Sequence, residues 1–267
     1  MSWARTCLER SIAAAGLTGR LVESPSGAPL ARLEVTDGAK ILPVVLQLPK
    51  DTLVITAEIG EMSEPDDTAL ACLDAIAEGW PRGSLAWDRR TSLLLGRAHL
   101  DAPLDRTPLG SDLRVALADL VAAAPFLAQM ELPPTRWLST PSPLTLTSRF
   151  SKQGLPLSLV GDGVWGQRVR HPNLSIGSFG FALGIDEGQG FWIEGELLDG
   201  TPWPAGRTGS LLANDLRNVL DLGTVVLRDG RAVWRASYAR LSDDPLWPRR
   251  ALAEASSAVG ELFTQGR

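Results

Sequence analysis

The segment Gly161-Asp162-Gly163-Val164-Trp165-Gly166 has the GxGxxG spacing of a dinucleotide-binding turn. In that chemistry the third glycine opens a helix whose N-terminus faces a pyrophosphate. Here Gln167-Arg168-Val169-Arg170 runs straight into His171-Pro172, which leaves no room for a helix of useful length. The segment therefore reads as a turn-rich loop. The two histidines, His99 and His171, fall in predicted loops of different halves and read as solvated. A zinc site needs them at short spacing from cysteine or acidic partners, and the chain has no HExxH and no paired CxxC. No GxSxG elbow presents a hydrolytic serine. Asp186-Glu187 and Asp243-Asp244 are acidic pairs at turns, where acids serve the backbone. Asn173-Leu174-Ser175 is a glycosylation sequon with no secretory route to use it. Cys7 and Cys72 lie in predicted helices and read as buried thiols, not as a disulfide. No catalytic group, metal or cofactor is expected.

Composition narrows the classes further. A chain of 267 residues suits one large domain or two ordinary ones, and 44% hydrophobic residues are enough for a real core. No stretch of 18 apolar residues occurs, so no membrane insertion is expected. The first 16 residues carry Arg5, Glu9 and Arg10 within their apolar stretch, unlike a signal peptide, so the expected location is cytoplasmic. A net charge of −5 argues against a nucleic-acid partner. Nine Trp stand against six Phe and one Tyr. Trp80, Trp137, Trp165, Trp203 and Trp247 sit beside loops, either as core residues or as partly exposed anchors for a protein.

The elements that would position any site occur twice, about 140 residues apart. In the first copy a strand at 53–59 leads to a helix at 67–78, with Leu70, Leu73, Ile76 and Ala77 on one face. Gly79 stops it. A hairpin follows at 84–87 and 92–98, then a loop at 101–108, then a helix striped by Leu113, Leu117, Leu120, Ala124 and Leu127. In the second copy the strand is 191–197, and the helix stripe is Leu212, Leu216, Val219 and Leu220, with Gly223 as its stop. The hairpin is 224–227 and 232–239, the loop 242–248, and the last helix is striped by Leu252, Ala255, Val259 and Leu262. Shared order and spacing mark a duplication. Before the first copy come a helix at 2–15 and strands at 19–23, 31–36 and 41–48. Pro43 suggests an edge or a bulge in the last of these. The second copy shows no clear opening helix; 144–150, 155–160 and 178–185 read as strands. The expected fold is α+β: two tandem lobes, each a twisted antiparallel sheet with helices packed on it, at 1–130 and 143–267, with a proline-rich linker at 131–142.

The order helix, three strands, helix, two strands, helix in the first half resembles the class I type III secretion chaperones, the Tir-chaperone or CesT family. The strand 53–59 with its loop into helix 67–78, the strand Leu93-Leu94-Leu95-Gly96-Arg97-Ala98, the Pro103-Leu104-Asp105 loop and the long last helix carry the resemblance. It implies a non-catalytic cytoplasmic chaperone that holds an extended segment of an exported effector. Family members dimerise through the middle helix and the second hairpin. A chain of twice the usual length then implies a fused, monomeric pseudo-dimer. A cytoplasmic adaptor or immunity-type protein unrelated to secretion is the alternative. Strand addition needs open edges and side-chain pockets. The strands 31–36, 41–48 and 191–198 are the expected edges, with Leu33, Val35, Val44, Leu46, Trp192 and Leu197 as client-binding residues, unless these side chains simply form the core.

Overall fold

A computed structural model describes residues 3–24, 26–37, 40–49, 52–80, 82–101, 109–134, 142–172, 177–186, 190–198, 202–238, 241–242 and 244–266. The first half runs α1 (Trp3–Ala14), β1 (Gly19–Glu23), β2 (Pro29–Asp37), β3 (Lys40–Gln47), β4 (Thr52–Glu61), α2 (Asp67–Gly79), β5 (Ser84–Asp88), β6 (Leu93–Asp101) and α3 (Gly110–Leu127). The second runs α4 (Pro143–Lys152), β7 (Ser158–Gly161), β8 (Val164–Arg170), β9 (Ser178–Asp186), β10 (Gly190–Leu197), α5 (Gly206–Val219), β11 (Thr224–Arg228), β12 (Arg231–Tyr238) and α6 (Trp247–Gln265). Helices and strands follow one another in the same order in both halves. Each half contributes a six-stranded antiparallel sheet, β1-β2-β3-β4-β6-β5 and β7-β8-β9-β10-β12-β11, and the two have the same topology.

The repeat holds at single residues. Arg97 pairs with Thr56 across β6 and β4, and Arg235 pairs with Glu194 across β12 and β10, each partner 138 positions on. Buried Gly110, Leu113, Leu117 and Leu120 of α3 match buried Pro248, Ala251, Ala255 and Ala258 of α6 at the same offset. Between the strands before α2 and those after it the offset becomes 140, with Ser84 matching Thr224. The β11–β12 turn at Asp229-Gly230 is two residues shorter than its counterpart at 89–92, and this restores the offset of 138. Asp229 and Gly230 both take positive φ, 50° and 73°, as a tight hairpin turn needs.

Two compact units form. One comprises Met1–Asp66 with Arg82–Pro134; the other comprises Asp67–Pro81 with Thr135–Arg267. Helix α2 therefore belongs to the second unit although its sequence sits within the first half. The division by chain order at 1–130, 131–142 and 143–267 differs in this helix; residues 135–141 of the linker lie outside the described residues.

Several local expectations change. The stretch 144–150 is helical. Ser142 caps α4, its Oγ accepting from the Thr145 N–H at 3.2 Å, and Pro143 occupies the first turn. Leu146 and Phe150, four apart, then face the core together. The cap and the i, i+4 burial decide for a helix here, in place of the strand expected at 144–150. So the second half has its opening helix. The GxGxxG segment is a hairpin turn between β7 and β8, with Gly163 at φ 67°. Strand β3 is interior, and Pro43 causes no bulge against β2. Pro43 lies beyond the β3–β4 pairing, which covers only Val44 to Gln47, so its missing N–H costs that ladder nothing.

Neither histidine is a solvated loop residue. His171 is 7% exposed; its Nε2 lies 2.9 Å from the Ser256 carbonyl, and its ring meets Phe179 edge-on. His99 is in β6 opposite Val54. Part of the residue reaches solvent, but its Nε2 is buried and without a hydrogen-bond partner among the described residues. Trp80, Trp203 and Trp247 are buried, so none of these three is an exposed anchor; Trp165 is half-buried and packs against the core, and Trp137 lies outside the described residues. Val219, expected in the α5 stripe, is 66% exposed. Cys7 and Cys72 are half-buried, and neither forms a disulfide. The sequon at 173–175, the 103–105 loop, Glu187 and Asp243 lie outside the described residues.

An aromatic cluster centres the second core. Phe150 meets Trp247 edge-on at 5.6 Å and Phe181 at 5.8 Å, while Trp247 also meets Phe191 and Tyr238. Gly195 in β10 lets α6 approach, since a Cβ there would stand 2.8 Å from Val259 Cγ2. Replacing Phe150, which is fully buried, by Ala should destabilise the protein by about 3–5 kcal/mol in denaturant unfolding.

Candidate functional site

The six expected client-binding residues do not form one surface. Leu33 pairs with Val44 and Ala31 with Leu46, so Leu33, Val35, Val44 and Leu46 share one face of the first sheet. Leu33, Val44 and Leu46 are buried there, and Val35 is half-buried. Leu197 is half-buried and packs against the hydrophobic core of the second half. Trp192, five residues earlier, points to the opposite face. It lies over Gly184, where a Cβ would overlap the indole, and the Arg235 guanidinium carbon stands 5.2 Å from the ring centroid. The expected edges are corrected as well. Strands β2, β3 and β10 each have neighbours on both sides, although the β1 ladder covers β2 only from Pro29 to Leu33 and the β4 ladder covers β3 only from Val44 to Gln47.

The edges are β1 and β5 in the first sheet and β7 and β11 in the second. They fall into two kinds. β5 and β11 are mostly buried, β11 beneath α2 and α5. β1 and β7, the topological counterparts, are open to solvent. β1 carries exposed Arg20 and Glu23, charges that discourage pairing with a stray strand. β7 is Ser-Leu-Val-Gly with no charge, and all four residues are exposed, Leu159 at 68% and Val160 at 64%. A register shift between Leu159 and Gly161 marks a bulge against β8. The bulge breaks strict alternation, and both apolar side chains reach water. No signal for this edge was legible beyond the short run Leu159-Val160 itself.

A buried ion-pair cluster lies where α2 packs within the second unit. Arg217 of α5 is wholly buried; its Nε donates to the Val225 carbonyl at 2.9 Å and its Nη2 to Asp74 Oδ1 at 2.7 Å. Ser210 Oγ donates to Asp74 Oδ2 at 2.6 Å. Burial pulls the proton affinity of the Arg217 guanidinium below its ordinary value, and the Asp74 carboxylate pulls it back. Farther along α2, Glu78 receives Arg228 at 3.4 Å, and Arg228 and Arg235 both reach Glu194, at 3.4 and 2.7 Å. These groups bind one another and present no activated nucleophile. Among the described residues no group of three or more His, Cys, Asp or Glu side chains is arranged to hold a metal ion. Searches against protein-family models, curated proteins and solved structures find no match. No helix of the described residues is long and apolar enough to cross a membrane.

Two measurements follow. Asp74→Ala leaves Arg217 buried without its anion and should cost about 3–5 kcal/mol, whereas Asp74→Ala combined with Arg217→Met should recover most of that loss in the same unfolding assay. His99 is held down to about 3, by burial first and Arg97 second. Its unfolded value is near 6.5, so between the two values only the unfolded chain takes up the proton. Stability is therefore complete above pH 6.5 and falls as pH drops toward 3, by about 2 kcal/mol at pH 5. A His99→Leu variant should lose that part of the acid sensitivity in melts from pH 7 to pH 5.

Proposed function

We propose that this chain is a non-catalytic protein-binding chaperone that holds an extended segment of a partner polypeptide, an exported effector of a type III secretion machine. The carrying observation is the uncharged, fully exposed edge strand β7 at the end of a six-stranded sheet. Among the described residues one side of that strand has no neighbouring strand, so its backbone donors and acceptors can receive a further strand. Leu159 and Val160 add apolar surface that an incoming segment would cover. The secretion role and the cytoplasmic location draw on the resemblance of the element order to the secretion chaperones. In this reading the two halves stand for the two protomers of a dimeric chaperone.

The test is cross-linking of the protein with its native partner, followed by mass spectrometry. Cross-links from residues 155–164 to one unstructured stretch of an exported protein are expected. Leu159→Lys with Val160→Lys should weaken that association about tenfold or more, with melting nearly unchanged because both side chains are solvent-exposed. A stable, folded partner that is never exported would favour a cytoplasmic adaptor or immunity-type role instead.

A further inference from the structure

Helices α2 and α5 occupy corresponding places in the two halves. Their buried positions coincide at an offset of 140: Leu73 with Ala213, Ile76 with Leu216, Ala77 with Arg217, and Trp80 with Leu220 just beyond each helix. By the same correspondence Asp74 matches Asn214. The charged contact therefore has a neutral counterpart. Asp74 meets Arg217, while the equivalent positions hold Asn214 and Ala77.

That asymmetry selects a partner for each helix. Two copies of α2 brought together by the same contact would set each Asp74 against an Ala77. Two copies of α5 would set each Arg217 against an Asn214. A carboxylate then faces a methyl group, or a buried guanidinium faces no anion, and both are costly. Only α2 with α5 sets the two charges against each other, with Ser210 Oγ donating to Asp74 and the Val225 carbonyl accepting from Arg217 Nε. We infer that the Asp74–Arg217 pair is a recognition code by which α2 selects an α5 surface over a second α2, so that the chain completes its second unit from its own sequence and not by pairing with another copy. The inference is independent of any client.

Charge reversal with matched peptides tests it. The full-length chain is prepared with Asp74→Arg or with Arg217→Asp, and each should melt well below the parent. Two synthetic peptides spanning residues 64–82 are added, one with the native sequence and one carrying Asp74→Arg. The native peptide should restore melting of the Asp74→Arg chain, whose Arg217 lacks its acid. The reversed peptide should restore the Arg217→Asp chain. Matched pairs should bind about tenfold or more tightly than mismatched ones. Equal binding of both peptides to either chain overturns the inference, as does parental melting of the single variants or failure of both matched pairs to bind.

Discussion

One buried guanidinium organises the second unit. Arg217 gives up all contact with water, and that loss is tolerable only with an anion and enough acceptors around it. The Val225 carbonyl lies on β11 within the same half of the chain, but the anion, Asp74, comes from α2 more than a hundred residues earlier. Sheet, helix and imported helix are thus bound by a single set of hydrogen bonds. Apolar contacts from Leu70, Leu73, Ile76 and Ala77 supply area, but area is not directional. The ion pair is directional, because a shift of α2 by one turn would strand the guanidinium. The largely buried Glu194–Arg235 pair and the more exposed pairs of Arg228 with Glu78 and Glu194 extend this alignment along β11 and β12.

The two sheets repeat one topology with different fillings. The first core is built mainly on leucine, isoleucine and valine, including Leu46, Leu53, Ile55 and Leu113; the second is built on Phe150, Phe179, Phe181, Phe191, Trp234 and Trp247. Smaller residues on the last helix compensate: Leu113, Leu117 and Leu120 of α3 correspond to Ala251, Ala255 and Ala258 of α6. The larger Phe179, Phe181, Phe191 and Trp234 on the sheet, set against these alanines of α6, keep the interior filled, as close packing requires.

Much of this was legible from residue spacing. The helix stripes, the two hairpins and the repeated order follow from periods of 3.6 and 2 and from turn glycines. The faces of the candidate residues were legible too, since Trp192 and Leu197 differ by an odd number of positions along one strand and so cannot share a face. Strand neighbours were not. Alternation in β2, β3 and β10 reports which side chains are buried, and says nothing of which strand lies alongside. For the same reason the stripe of α2 announced a buried face without naming its partner. α4 is hard to read from the run 144–150 alone, because the Ser142 cap lies outside that run and the joint burial of Leu146 and Phe150 spans a full helical turn. Charge and position in sequence carry no information on depth, so the burial of His171 and of the His99 Nε2 shows only in the fold.

The contrast between the two open edges has a consequence for assembly. In a dimer of identical chains any substitution appears at both ends, so a bare edge would be bare twice. A molecule with two adhesive ends can be joined end to end without limit and grow into a fibre. Here β1 keeps Arg20 and Glu23 while β7 keeps neither, a difference that only non-identical halves can sustain. A bare edge can be paired only once, and the charges on β1 leave, of these two open edges, no second bare strand on which such pairing could continue.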